Sequence, residues 1–486
     1  MIPLSVAQLA EITAGDVVFA STAADADIDT GTSTGTGTGP VVTGPVVIDS
    51  RLAAPGALFA ALPGEHVDGH DYAGAAALAG AAAILAARPL PEVAVPVIVV
   101  PDVTRALGAL ARAVLLRLPG VTVVGITGSS GKTSTKDLTA QVVERLGPAI
   151  APEGSLNNEI GLPLTVLRAD ETTRYLILEM SARGIGHIAY LTGIAPPRIG
   201  AVLNVGRAHA GEFGSVDAVA KAKGELVEAL PAAADGGVAV LNADDPNVAA
   251  MAARTGARVV TTSVDPGRDA DVRATDIVLD ELGRASFCLT VTGATANVRL
   301  RLHGRHHVAN ALAAAAVAAE LGMDVTAIAD ALTAATARSK KRMELTRRAD
   351  GVLVVNDAYN ANPDSTRAAI EALAHLAGDG RRGIAVLGYM AELGAIEAQS
   401  HAEAGRLAAQ AGAALVVAVG AGAAPVLDGA RAAAGWQGEA IAVPDPKSAV
   451  AELKNRLRPG DVVLVKASKA AGLWEVADGL LAEDDQ

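Results

Sequence analysis

A chain of 486 residues is longer than one ordinary hydrophobic core serves, so two to four domains are expected. Apolar residues make up 51% and aromatics only 2%, which fits Ala-rich helices packed on Val/Ile/Leu strands, an α/β composition rather than a disordered one. A formal charge of −13 argues against a general binder of phosphate backbones, so no nucleic-acid partner is expected and anionic ligands must be held by local Lys and Arg.

The opening MIPLSVAQLAEITAG lacks a basic region followed by an apolar core, so no secretory signal is expected there. Residues 31–39, GTSTGTGTG, bury almost nothing and read as a flexible surface loop. Short β-type pieces follow, VVIDSR and ALFAAL, and then AGAAALAGAAAILAA, read as an Ala-rich helix near residues 73–87. That stretch is too short and too rich in Ala and Gly to span a bilayer, so no stable membrane insertion and a cytoplasmic location are expected. This first α/β unit is expected to end near Asp102.

From residue 121 a different rhythm begins. The apolar runs VTVVGIT, YLILEM, IGAVLNV and VAVLN alternate with helical segments, and a second series restarts at VLVVND, GIAVLG, LVVAVG and DVVLVKAS. Fully apolar runs followed by helices indicate parallel strands covered on both faces. Between the series lie a helix within RLHGRHHVANALAAAAVAAELG and the charged RSKKRME, which mark the border of a nucleotide-binding middle domain and a doubly wound C-terminal one. Cys288, the single cysteine, has no disulfide partner in the chain and reads as a buried, inert thiol.

Lys132, Glu179, His209, Asp357 and Lys466 all stand at or just beyond the carboxyl end of an apolar run, the edge where open parallel sheets bind ligands. The first of them lies in VVGITGSSGKTSTKDL, a strand, a Gly/Ser turn and a helix. Such a turn offers backbone N–H groups and a helix N-terminus to an anion. Gly128, Ser129, Ser130 and Gly131 form it, Lys132 supplies a mobile charge for terminal phosphates, Thr133 a hydroxyl for Mg2+, and Ser134 follows. The strict phosphate-loop pattern is missed at its first glycine, where Ile126 stands. By itself the loop does not separate a kinase, a motor, a GTPase switch and a ligase.

Phosphoryl transfer to a carboxylate calls for neutralising Mg2+ with oxygen ligands and sometimes an imidazole. Glu179 at the end of a buried strand, His209 after IGAVLNV, and Lys223 fourteen residues later are the candidates. A lone His is more often a packing residue, and a helical lysine is usually solvated. Their company with a phosphate loop and a strand-end carboxylate favours the site. Spacing does not explain how an ammonium at Lys223 would serve a metal.

With DSRLAAPGALFAALPGEHVDGHD, TGSSGKTS, LNNEIGLPLTVLR, LILEMSARGIGHI, GRAHAGEFGSVDAVAKAKGE, GRHHVANALAAAAV, NDAYNANPDS, LGYMAELG and VKASKAAGLWEV in order, the chain resembles the Mur ligase family over nearly its whole length. LNNEIGLP with DAYNANPDS points to its dipeptide-adding members. The resemblance implies three α/β domains: a small N-terminal UDP-substrate domain (1–102), a central P-loop ATPase-type parallel-sheet domain (103–337), and a C-terminal Rossmann-like doubly wound domain (338–486). It implies an ATP-dependent amide ligase that joins D-alanyl-D-alanine to a UDP-N-acetylmuramoyl tripeptide through an acyl phosphate, releasing ADP and phosphate and giving the peptidoglycan pentapeptide precursor. A monomer is expected.

The same resemblance implies that Lys132 holds the β and γ phosphates, that Thr133 and Glu179 serve one Mg2+, and that His209 and Lys223 serve a second, with Lys223 carbamylated and therefore anionic. Asn310, Asp357 and Tyr359 look like nucleotide contacts, and Arg342 looks like the guanidinium that meets the spreading phosphoryl charge. Asn157 and Asn158 look like tripeptide contacts, Asn360 and Asn362 lie in the adenine and dipeptide region, Lys466 and Ser468 resemble acceptor-site residues, and Asp49, Ser50 and Arg51 resemble part of the UDP-sugar site. Two positions depart from the family pattern: His307 stands where Asn is common, and Ser339-Lys340-Lys341 replaces a Pro-Gly before Arg342.

Overall fold

The computed structural model describes residues 1–19, 40–64, 67–206 and 213–482. The Gly/Thr-rich tract at 31–39 and His209 lie outside the described residues. The chain divides into two compact units, one of residues 1–124, 147–180 and 189–197, the other of 125–146, 181–188 and 198–486.

In the first unit a five-stranded sheet runs in the order Asp16–Val18, Val97–Val99, Ala83–Ala86, Leu58–Ala60, Val46–Val47, all parallel except the first. Phe59, Ile84, Leu90 and Val97 pack beneath it with Ala73 and Ala76. The expected helix at 73–87 is therefore wrong in its second half: the helix spans only Ala73–Leu78, and Ala83–Ala86 is a buried strand. Gly80 stops the helix with φ 101°, a conformation open to glycine, and a Cβ there would lie 3.1 Å from the Pro55 backbone. Ala83 and Ala86 beside Ile84 and Leu85 let a sheet strand pack closely on both faces. Asp102 caps the helix Val103–Leu116, its carboxylate accepting from the Arg105 N–H at 3.0 Å. In the same unit the strand Tyr175–Glu179, every residue buried, pairs in parallel with Ala149–Ile150.

In the second unit Ile199–Val202, Val238–Asn242, Arg258–Ser263 and Val272–Leu279 are successive parallel neighbours. The chain then turns back twice, and Arg284–Val291 and Ala294–His303 extend the sheet antiparallel. The apolar runs predict a parallel sheet for this domain, and the antiparallel ribbon departs from that expectation. Its residues alternate buried and exposed, and the helices His307–Glu320 and Val325–Ala334 pack on it. Cys288 is half-buried, not buried, because it sits in this ribbon between Thr275 and Asn297 rather than in a two-sided core.

The C-terminal sheet has six strands in the order Glu344–Arg347, Leu353–Asn356, Val462–Lys466, Gly383–Leu387, Leu415–Val419, Glu439–Val443, parallel after the first. Val355, Leu387, Val416 and Leu464 point into one apolar cluster, and Val354, Val386, Val417 and Val463 into another, so both faces are covered as the sequence reading expected. Five strands thus bring their carboxyl ends to one edge, and the loops after Asn356, Leu387 and Lys466 gather there.

Two helices on this sheet, Glu397–Gln410 and Pro425–Arg431, approach through glycines: a Cβ on Gly405 would fall on the Val426 carbonyl oxygen, and one on Gly429 on the Ala402 carbonyl oxygen. Neither clash involves a flexible side chain, so the helices must separate. Gly405→Ala and Gly429→Ala should each cost about 2 kcal/mol or more, read as a lowered calorimetric transition with the phosphate-loop region intact.

Candidate active site

The strand Thr122–Thr127 delivers the phosphate loop, and the helix Lys132–Val143 starts from Gly131, whose φ of 80° only glycine adopts without strain. No capping side chain neutralises this helix start, so its positive end faces the loop. The loop backbone is held from outside. Asn204 Oδ1 accepts from the Ser130 N–H at 2.9 Å while its Nδ2 donates to the Ser130 carbonyl at 3.2 Å. Ser129 Oγ accepts from Gly206 N–H at 2.8 Å, and the Ser129 carbonyl accepts from Asn362 Nδ2 at 3.2 Å. Asn310 Oδ1 sits where a Cβ on Gly131 would go, so a side chain at 131 would displace it. Lys132 Nζ folds over the loop to donate to the Gly128 carbonyl at 2.7 Å. Thr133 is buried and Ser134 half-buried in the first helical turn. Sequence reasoning missed Asn204; its signal was an asparagine closing an apolar run.

Lys223, on the helix Val216–Glu228, is buried. Burial drives its amine well below the ordinary lysine range, and the charge of Lys132 adds to the effect. Glu179, in the first unit, is buried at its strand end and accepts from Asn157 Nδ2 at 2.7 Å. Asn157, expected at the tripeptide, therefore also orients this carboxylate. Asn158 is occupied locally, its Oδ1 accepting from the Gly161 N–H at 2.9 Å.

At the edge of the six-stranded sheet Lys466 Nζ, buried, reaches Asp357 Oδ2 at 2.6 Å and the Asn360 carbonyl at 3.0 Å. Asp357 Oδ1 accepts from the Met343 N–H at 3.1 Å, which fixes the backbone just after Arg342. The Arg342 guanidinium lies 4.3 Å over the Tyr359 ring, and its buried Nε has no hydrogen-bond partner among the described residues. Asn362 caps the helix Pro363–Ala377 through the Ser365 N–H at 2.8 Å as well as touching the phosphate loop. Asn360 is exposed, with Oδ1 2.9 Å from the Ala361 N–H, and Ser468 Oγ accepts from the Ala391 N–H at 2.9 Å.

The residues before Arg342 are anchored rather than loose. Gln141 on the phosphate-loop helix exchanges two hydrogen bonds with the Thr336 backbone, at 2.9 and 3.0 Å, Arg338 pairs with Glu144, and the Ser339 N–H donates to Asp137 at 3.1 Å. Lys341 takes φ 61° and lays its ammonium 4.0 Å over Trp474. His307, the other departure, is buried against His306 at 4.3 Å between ring centroids and meets Asn310 Nδ2 at 3.3 Å. In the first unit Asp49 caps the turn Ser50–Leu52 and pairs with the largely exposed Arg51 at 2.6 Å, whose hydrogen bonds hold the Asp49 pKa down at about 2.

The Mur ligase middle domain matches residues 126–318, the Mur ligase glutamate ligase domain 341–469, and the Mur ligase family catalytic domain 45–115. The UDP-N-acetylmuramoyl-tripeptide--D-alanyl-D-alanine ligase of Mycobacterium tuberculosis is 50% identical over all of this chain and 99% of its own length. The chain belongs to the Mur ligase family. The ligase of the same description from Escherichia coli is 36% identical over 99% of both chains. Among solved structures, MurF from Acinetobacter baumannii superposes with a TM-score of 0.84 at 29% identity over 99% of each chain. The MurF ligase of Thermotoga maritima in complex with ADP gives 0.78 at 29% identity, covering 91% of this chain and 98% of that one. Like other Mur ligases, the chain is a three-domain α/β enzyme that uses ATP. No helix among the described residues is long and apolar enough to cross a membrane.

Three imidazoles, His306, His307 and His401, have pKa values pushed below 6.5, each mainly by burial. They bind protons less readily in the fold than in the unfolded chain, so their contribution is present above about pH 6.5 and is lost as pH falls toward their folded values. The carboxylates with lowered pKa values respond only near and below their ordinary range around pH 4. Urea midpoints should therefore fall between pH 7.5 and pH 5.5, and His307→Asn should shrink that loss.

Proposed function

We propose that the chain joins D-alanyl-D-alanine to a UDP-N-acetylmuramoyl tripeptide at the expense of ATP. The observation that carries this reading is the full-length identity of 50% to a ligase of that description. The phosphate loop and the Asp357–Lys466 edge lie in one compact unit, which supports it. A carboxylate oxygen of the tripeptide attacks the γ phosphorus, ADP leaves, and an acyl phosphate forms. The dipeptide's neutral amine then attacks the acyl carbon, the bond to the phosphate oxygen breaks, and one proton is lost as the amide forms.

In this reading the loop of residues 128–133, Lys132 among them, grips the terminal phosphates, with Ser134 beside it. Asn310, Asp357 and Tyr359 hold the nucleoside, and Arg342, flattened on Tyr359, presents its guanidinium to the developing phosphoryl charge. Asp49, Ser50 and Arg51 take the UDP-sugar, Asn157 and Asn158 the tripeptide, and Asn360, Asn362, Lys466 and Ser468 the incoming dipeptide. The working boundaries are 1–102, 103–337 and 338–486 for a cytoplasmic monomer.

The donor chemistry fits Mg2+: a buried hydroxyl at Thr133, a buried carboxylate at Glu179, and a buried amine at Lys223 whose pKa burial pushes well below the ordinary lysine range. Thr133 and Glu179 would hold one Mg2+, and His209 and Lys223 a second, and the ions would supply charge neutralisation at the phosphates. Carbamylation of Lys223 fits the same facts, because CO2 adds to a neutral amine and the anion produced would answer the charge of Lys132.

Phosphate release from ATP and the UDP-linked tripeptide, run with a panel of amines, tests the reading. D-alanyl-D-alanine should turn over best, and the proposal is lost if it is inert while a single amino acid reacts. Lys223→Ala should lower turnover roughly a hundredfold, the upper scale for losing support at a metal site, and acetate or formate should restore part of it.

A further inference from the structure

Residues 388–393, after the strand Gly383–Leu387, form the wall beside Lys466 and Ser468, and they carry neither helix nor strand. Their backbone is fastened to the neighbouring strand end at three points. The Gly388 N–H donates to the Lys466 carbonyl at 2.9 Å, the Ser468 N–H to the Tyr389 carbonyl at 2.9 Å, and the Ala391 N–H to Ser468 Oγ at 2.9 Å. Between those points stands Met390, whose N–H donates to His401 Nε2 at 2.9 Å.

His401 belongs to the helix Glu397–Gln410 and is fully buried. Its Nδ1 lies 2.8 Å from the Glu397 carbonyl. A carbonyl only accepts and an amide N–H only donates, so the two bonds require the neutral tautomer with its proton on Nδ1. The ring is held in that orientation by its surroundings. Tyr389 stacks on it at 5.6 Å and 15°, the Tyr389 hydroxyl donates to Glu397 Oε2 at 2.7 Å, and Gly422 packs so close to Tyr389 that a Cβ there would lie 2.7 Å from the ring. From another helix the Thr366 hydroxyl donates to Met390 Sδ at 3.4 Å.

We propose that His401 is a positioning residue for the amine acceptor: through Met390 it sets the loop whose Ala391 N–H orients the Ser468 hydroxyl, and so shapes the wall that receives D-alanyl-D-alanine. The inference rests on the acceptor role given above to Lys466 and Ser468. His401 does not itself meet the dipeptide. Its effect is geometric, since Ser468 Oγ also donates to the Ala361 carbonyl at 3.3 Å and turns when the loop moves. Misplacement of a binding wall by a fraction of an ångström weakens the reacting complex without touching the chemistry.

Two substitutions separate this role from a merely structural one. His401→Gln can keep an acceptor near the Nε2 position, whereas His401→Asn is too short to reach the Met390 N–H and leaves it buried and unpaired. In H401N the KM for D-alanyl-D-alanine should rise about tenfold or more, with those for ATP and the UDP-linked tripeptide within about twofold of wild type. H401Q should return the dipeptide KM to within about threefold. The inference is overturned if H401N leaves the dipeptide KM unchanged, or if all three KM values rise together. Should H401N not accumulate folded, Thr366→Val loosens Met390 from the other side, and its dipeptide KM must rise selectively, by about threefold, or the inference fails. Wild-type enzyme inert toward D-alanyl-D-alanine would instead sink the acceptor assignment, and this inference with it.

Discussion

The meeting of Lys466 with Asp357 is the constraint on which the C-terminal half depends. A five-residue strand with every side chain buried ends in an ammonium, and a charge in that position is tolerated only with a close counter-charge and filled hydrogen-bond positions. Asp357 supplies the charge and the Asn360 carbonyl a further acceptor. Because the strands Leu353–Asn356 and Val462–Lys466 are parallel neighbours, the pair forms only when the chain has completed the whole sheet and returned its last strand to the middle. The ion pair therefore records correct assembly of a long-range topology. Through the second oxygen of Asp357 it also sets the backbone of Met343, and with it the residue before, Arg342.

The phosphate loop follows a complementary logic. Its shape is imposed by asparagines from elsewhere, Asn204 on Ser130 and Asn362 on Ser129, so its N–H groups are directed before any anion arrives. Charge is then added sparingly. Lys132 is bonded to the loop itself, and burial together with the charge of Lys132 lowers the pKa of Lys223, which eases the repulsion between the two lysines. In a chain of formal charge −13, an anion at this loop depends on such local groups rather than on the net charge.

Most of this arrangement was legible in the sequence because its signals are local. Apolar runs ending at Thr127, Glu179, Asn356 and Lys466 are strands in the structure, and the polar residues after them stand at the expected edge. What was not legible depends on partners distant along the chain. Ala73–Ala87 read as one helix because alanine favours helix, yet burial against Phe59 and Val97 made a strand of its second half. The ribbon from Val272 to His303 escaped because its exposed face carries Arg273, Arg284, Arg299 and Arg301 and breaks any apolar run. The asparagines at 157, 204 and 362 look alike in sequence, and only their partners distinguish a carboxylate orienter from two braces of the phosphate loop.

The anchored segment ahead of Arg342 has one more consequence. Ser339 is the last residue bonded to the phosphate-loop helix, and Lys341, whose carbonyl accepts from the Tyr359 N–H at 3.1 Å, is the first bonded to the six-stranded sheet's own loops. Only the exposed Lys340 stands between them. The covalent crossing is thus a universal joint one residue long: two soft backbone torsions define how the chain passes from one sheet system to the next.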